Sequence, residues 1–226
     1  TAYEIPKRDW SSDVCSSDLG TVAFQGNATI GTLNTANKGY NVSMTGGSNT
    51  VTSAVSFLNT GTVTLGDGGD SFTFTGGVAT SGNASNPSST TVNGNVSTTN
   101  TALTLGTTSV GGNSTLDAGT NTITLGAATL ADGVTLTLGT GAGTTISASS
   151  ISGTAGGTAS NLTINTTGAA TVSGAVGTDI GTVTVTQSGG TTFQNTLNAS
   201  TVTLTDTTGT VAFQGNATIG TLNTAN

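Results

Sequence analysis

Beyond residue 19 this 226-residue chain contains no cysteine, tryptophan, arginine, glutamate or histidine, and a single proline, Pro87. Without histidine or cysteine there is no imidazole base, no thiolate nucleophile and no zinc-type ligand set, so hydrolysis by a Ser, His, Asp set or by a metal has no parts. The one cation of this stretch, Lys38, cannot neutralise a phosphate backbone, so nucleic acid is not an expected partner. Aromatic residues are 4% and charged residues 6% of the whole chain, which excludes a compact core of large side chains. No stretch is long and apolar enough to span a membrane as a helix. A cysteine-free body is compatible with secretion and does not prove it.

Histidine is absent from the whole chain; the other rare types are concentrated at the start, as Glu4, Pro6, Arg8, Trp10 and Cys15. Back-translated, DWSSDVCSSDL at 9–19 can be written as the read-primer part of a common short-read sequencing adapter. TAYE with the first bases of Ile5 resembles the flow-cell end of the same adapter, and the codons between leave room for a sample index. Residues 1–19 are thus expected to be translated adapter, unstructured and outside the fold, and composition is read without them.

What remains is Thr, Gly, Asn, Ala, Ser and Val in a strict local order. The runs TVTLG (62–66), TALTLG (101–106), NTITLG (121–126), VTLTLG (134–139), VTVTQ (183–187) and TVTLTD (201–206) alternate aliphatic and polar residues. Period two puts the aliphatic side chains on one face of a strand and threonine on the other. Disordered chains carry more charge and fewer Val, Ile and Leu than this one.

The strands recur. The apolar residues that end successive runs are Phe24, Met44, Leu65, Leu105, Leu125, Ile146, Ile164, Val185 and Leu204, about twenty residues apart with one gap. A second, less regular series follows some nine residues behind, at Leu33, Val55, Phe74, Leu116, Val134, Val172, Phe193 and Phe213. A fixed period of this length marks a repeat architecture. The expected fold is all-β: a β-solenoid, specifically a right-handed parallel β-helix, with coils of about twenty residues and two strands per coil. A β-sandwich of short strands is the competing architecture. About ten coils at a strand spacing of about 4.8 Å make a rod roughly 50 Å long. The gap in the series falls in VATSGNASNPSSTT, so residues 78–91 are expected to form an irregular coil or outward loop. Val185, Leu204, Leu125 and Leu105 should point inward, and Thr184, Thr203, Thr124 and Thr104 outward.

One segment occurs twice. GTVAFQGNATIGTLNTAN occupies residues 20–37 and again, unchanged, 209–226. Phe24 falls in the first apolar series and its copy Phe213 in the second, so the count of twenty slips between them. The repetition suggests a larger array, and residues 20–226 are expected to be one piece of a longer protein, with caps and any anchor lying outside it. Unpaired strand edges at uncapped ends would favour end-to-end self-association.

Rungs such as VSFLNTGTVTLGDGG (55–69) and TTFQNTLNASTVTL (191–204) resemble the β-strand repeats of large bacterial surface proteins, in particular autotransporter passengers and haemagglutinin-like adhesins. The likeness covers essentially all of 20–226 and is one of composition and period. It implies an extracellular or cell-surface bacterial rod, structural and adhesive, with no enzymatic activity in this segment. Its partners would be host or environmental surfaces, glycan or matrix, bound through multivalent display. Membrane contact would be made only through an anchoring β-barrel outside the segment.

Few residues are candidates for chemistry. GDGGDSFTF (66–74) partly matches a calcium-binding glycine–aspartate nonapeptide, making Asp67 and Asp70 possible ligands, but one copy lacks the neighbours that complete an oxygen shell. A plain Gly/Asp turn is the simpler reading, so no cofactor and no catalytic residue is assigned. The same two acids are the only close pair available to a carbohydrate-active β-helix, the alternative function, and they lack a basic partner. T-x-T pairs at 62/64, 122/124, 135/137 and 182/184/186 raise a lesser alternative, the flat threonine face of ice-binding solenoids, although period two is expected to distribute threonine around the coil.

Overall fold

A computed structural model describes residues 20–224; the expectation for residues 1–19 lies outside the described residues. Every strand pairing is parallel, and no described residue is helical. The strands form three ladders that run along one axis, so each turn of chain makes three sides. The first side is built of 21–24, 41–44, 62–65, 89–92, Thr108–Val110, Ala128–Leu130, Ile151–Gly153, Val176–Gly177, 197–199 and 217–219. The second starts with Thr29–Ile30 and Ser48–Val51 and ends with 201–207 and 221–224. The third comprises the short strands from Val55–Ser56 to Val211–Phe213. The fold is a β-solenoid of about ten turns, with coils of about 21 residues. First and second sides share one 16-stranded sheet because strands such as Thr62–Phe74 and Leu197–Thr207 bend across their common corner; the third side is a separate 8-stranded sheet.

Three strands per turn correct the expectation of two. The apolar series read as one ladder crosses sides: Phe24, Met44 and Leu65 lie on the first, Leu105 and Leu125 on the third, and Ile164, Val185 and Leu204 on the second. The cause is the corners. Val63 pairs with Thr90, a step of 27 residues, whereas Val42 pairs with Val63 after 21. Two of the six extra residues lie in the bend of Thr62–Phe74, and four lie at the corner between third and first sides, where 80–88 replaces the shorter 57–61 of the previous turn; Val78–Ala79 and Ser89–Thr98, at the margins of the expected loop, are strand. The insertion packs back through Asn83, whose amide donates to the carbonyls of Phe57 and Ala79, and Ser85, which donates to that of Leu58.

Facing follows the alternation. Leu105 stacks on Leu125 and Val185 on Leu204, in register; the first three are buried and Leu204 is half-buried near one end. Thr104, Thr124, Thr184 and Thr203 lie on the opposite, solvent-facing pleat. The interior column of the second side, Phe72, Val96, Leu116, Leu138, Ile164 and Val185, continues through six turns, and burying each such side chain contributes about 1.5–3 kcal/mol. Threonine also enters the interior, in most cases with a partner for its hydroxyl: Thr90 bonds Thr80 at 2.9 Å and Thr108 bonds the Gly106 carbonyl at 3.0 Å, whereas the buried Thr191 hydroxyl has none among the described residues.

Asparagine has a distinct role that composition did not disclose. At the starts of second-side strands and elsewhere, its Oδ1 accepts the N–H of the following turn: Asn27 from Ser48, Asn41 from Thr62, Asn113 from Thr135 and Asn161 from Thr182, at 2.8–3.0 Å. Each bond ties two turns together where the ladder alone would leave a donor unpaired.

Candidate functional site

Asp67 and Asp70 sit on a bulge of the long strand Thr62–Phe74. Leu65 pairs with Val92 and Asp70 with Gly94, so four residues, 66–69, face the single residue Asn93. That excess pushes 67–69 outward. Gly66, at φ 92°, is required here, since a Cβ would lie 2.5 Å from the Asn93 carbonyl. Asp67 is exposed, but Asp70 is only 6% exposed, and its Oδ2 accepts the N–H groups of Asp67 at 2.8 Å and Gly68 at 3.4 Å. The carboxylate thus closes its own loop. A cation or a glycosidic bond would have to compete with those two donors for that oxygen.

The remaining acids among the described residues are dispersed. Asp117 accepts from the Gly119 N–H at 2.9 Å and the Thr140 hydroxyl at 2.8 Å, so both of its oxygens are occupied by the fold. Asp179 occupies a corner in left-handed conformation with Thr178, at φ 58° and 50°, and its Oδ2 is buried without a hydrogen-bond partner among the described residues. No group of three acidic, histidine or cysteine side chains gathers among the described residues.

One surface depression, about 330 Å³, is a shallow trough along the corner between third and first sides, with Gly106, Thr107, Gly126, Ala127, Ser149 and Ser173 in its wall. A second, about 280 Å³, lies on the second side beside Asn95, Thr115 and Asp117. Neither includes Asp67 or Asp70.

The most regular exposed feature is threonine. The T-x-T pairs do fall on all three sides, with Thr62/Thr64 on the first and Thr122/Thr124 on the third. The second side nevertheless gathers a continuous array, against the expectation of even distribution. Thr115, Thr137, Thr163, Thr184 and Thr203 stack in one outward column, and Thr135, Asn161, Thr182, Thr201 and Thr221 in the next. The two columns stand about 7 Å apart along the strand and repeat about every 4.8 Å along the axis. They exist because second-side strands are long enough to present two outward positions, where most third-side strands, such as Leu103–Leu105, present one. No register shift falls between Asn161 and Ile164 or their partners, so the array is unbroken.

Comparison with family models, curated proteins and solved structures gives no significant match. The architecture is that of a parallel β-solenoid with Thr- and Ser-rich strands.

Proposed function

We propose that this chain is a structural and adhesive segment of a bacterial surface or secreted repeat protein, a rigid rod that holds weak polar contacts at fixed spacing and has no catalytic activity of its own. The observation that carries the reading is the uninterrupted three-sided stack itself. On the second side, from Thr115 to Thr203, successive turns return hydroxyl or amide groups to the same outward columns, so contact with an extended glycan or matrix polymer is repeated along about 19 Å of axis. Single contacts of this kind are weak, and affinity arises from many rods on one surface. The shallow trough at the third corner, open at its surface and lined by small side chains, suits an extended polymer better than a small molecule.

The chain immobilised at rising density on beads should adhere to glycan- or matrix-coated surfaces with a steep dependence on density, while the free chain binds weakly. Adhesion absent at every density would overturn the reading. Release of reducing sugar from polysaccharide would favour the carbohydrate-active alternative.

The two-column threonine array favours a second reading, adsorption to ice through a flat repeated face of hydroxyl and methyl groups. Thermal hysteresis that is lost in the variant Thr163→Lys, with melting unchanged, would support it. Hysteresis equal to that of buffer would dismiss it.

A further inference from the structure

The two copies of the repeated segment lie at opposite ends of the described rod, with opposite edges bare. The tail copy rests on the turn beneath it: Val211–Phe213 pairs with Thr191–Phe193, and Ala217–Thr224 with Leu197–Thr207. The head copy instead carries the turn above it, with Val22 on Val42, Phe24 on Met44 and Ile30 on Val51. Among the described residues, no strand pairs with the other edge of either copy. Among the described residues, the only exposed large apolar side chains lie in these two segments, Val22 at 37% and Leu222 at 52%.

Glycine shows what the bare head edge is shaped for. In the tail copy, a Cβ on Gly209, Gly215 or Gly220 would collide with the backbone of Gly189, Asn195 or Ser200 in the turn beneath. Those positions are glycine because another turn lies against them, and none has a left-handed φ that would offer a different reason. The identical glycines of the head copy, Gly20, Gly26 and Gly31, have no described atom within 4 Å. The head therefore holds the same cleared space, and among the described residues no turn fills it as one does in the tail.

The sides also match. In the head copy TVAF lies on the first side and Thr29–Ile30 on the second. In the tail copy VAF lies on the third side, 217–219 on the first and 221–224 on the second, and no described strand follows on the third side of that last turn. Rotating a second copy by one side puts its Thr21–Phe24 on that vacant position, directly over Val211–Phe213. The identical segments then stack in register, Val22 on Val211, Phe24 on Phe213, Ile30 on Ile219 and Leu33 on Leu222. Phe213 already stacks on Phe193, with centroids 5.6 Å apart and an interplanar angle of 6°, so Phe24 would extend an existing aromatic column.

We infer that this chain binds a second copy of itself head to tail through the repeated segment, each copy rotated by one side of the solenoid relative to the last. The contact is heterologous and does not close, so it propagates as an open filament one rod wide. Parallel pairing across the junction satisfies the backbone edges that each end presents, and like residues form continuous ladders.

The test uses the full 226-residue chain, by sedimentation velocity over a range of concentration and by negative-stain imaging. Association into end-to-end filaments is expected. Two substitutions at sites with open space block one end each: Gly26→Val at the head and Leu222→Lys at the tail. Val22→Lys is a second head variant. Each should keep the parent melting temperature and each alone should be monomeric. An equimolar mixture of a head variant and the tail variant should give dimers and nothing longer, since only one competent head and one competent tail remain per pair. A parent chain that stays monomeric, a single variant that still polymerises, or a mixture that fails to dimerise would overturn the inference.

Discussion

The same eighteen residues fold differently at the two ends of this rod. Residues 21–24 and 29–30 are the strands of the head copy, whereas the tail copy is strand over 211–213 and throughout 217–224. Leu33 is half-buried, and its copy Leu222 is the most exposed large apolar side chain among the described residues. The tail lies on the eleven-residue strand Leu197–Thr207, which templates a strand of eight, while the head meets strands of four residues, Asn41–Met44 and Ser48–Val51. Local sequence thus dictates strand, facing and corner, but the neighbouring turn decides how far the strand extends and on which side it lies. Three similar sides make the assignment of side a property of everything in between.

This difference can be probed by placing one substitution in several contexts. The largest effect is expected in the middle of the rod, where Leu125→Asp puts an unpaired charge into a dry column at a cost on the order of several kcal/mol. Leu222→Asp, exposed in the tail copy, should leave thermal melting unchanged. Equal melting temperatures for the two variants would erase the distinction between interior and end. Next, Gly215→Ala should destabilise by about 1–3 kcal/mol because its Cβ would meet the Asn195 backbone, whereas Gly26→Ala, the same change in the head copy, should be neutral. Denaturant unfolding of the pair reads the asymmetry directly; matching midpoints would show that a turn lies beneath both copies or beneath neither.

The smallest effect runs the other way. Asn27 in the head accepts the Ser48 N–H at 3.0 Å, so Asn27→Ala should cost about 1 kcal/mol, while Asn216→Ala at the tail, with no described turn above it, should cost nothing measurable. Head-sensitive asparagine together with tail-sensitive glycine is a signature that only opposite stacking directions produce. A reversal of either pair would contradict the placement of the copies.

Much of this was legible before any coordinates. Alternation alone gave the inward facing of Leu105, Leu125 and Val185 and the outward facing of their threonine neighbours, because period two is set by the strand backbone. The coil length was legible because Val42, Val63 and their neighbours recur at a nearly constant interval. The third strand was not. Val55–Ser56 and Val78–Ala79 are two residues long, too short to carry a period, and the 27-residue step across residues 80–88 moved the count from one side to another. The slip between Phe24 and Phe213, a defect in a two-strand count, is in the three-sided fold the true displacement of the copies by one side. Nor could GDGGD disclose that Asp70 turns inward, since that follows from pairing on both flanks of the bulge and not from the turn residues themselves. The threonine array was hidden for a related reason. Which T-x-T pairs share a side depends on corner lengths that no single run records.

The central claim, three parallel ladders with unequal steps, is tested most directly by cross-linking outward pairs in neighbouring turns. Ladder partners in adjacent parallel strands lie within the Cα separation that a disulfide spans. In a Cys15→Ser background, cysteine pairs at Thr64 and Thr91 on the first side, Thr73 and Ser97 on the second, and Ala79 and Thr104 on the third should each form an intramolecular disulfide under mild oxidation. The pair Thr64 and Ala84, twenty residues apart, should not. Cross-linking at 64 and 84 with none at 64 and 91 would contradict the account, because it would restore a uniform twenty-residue coil in place of the three-sided one.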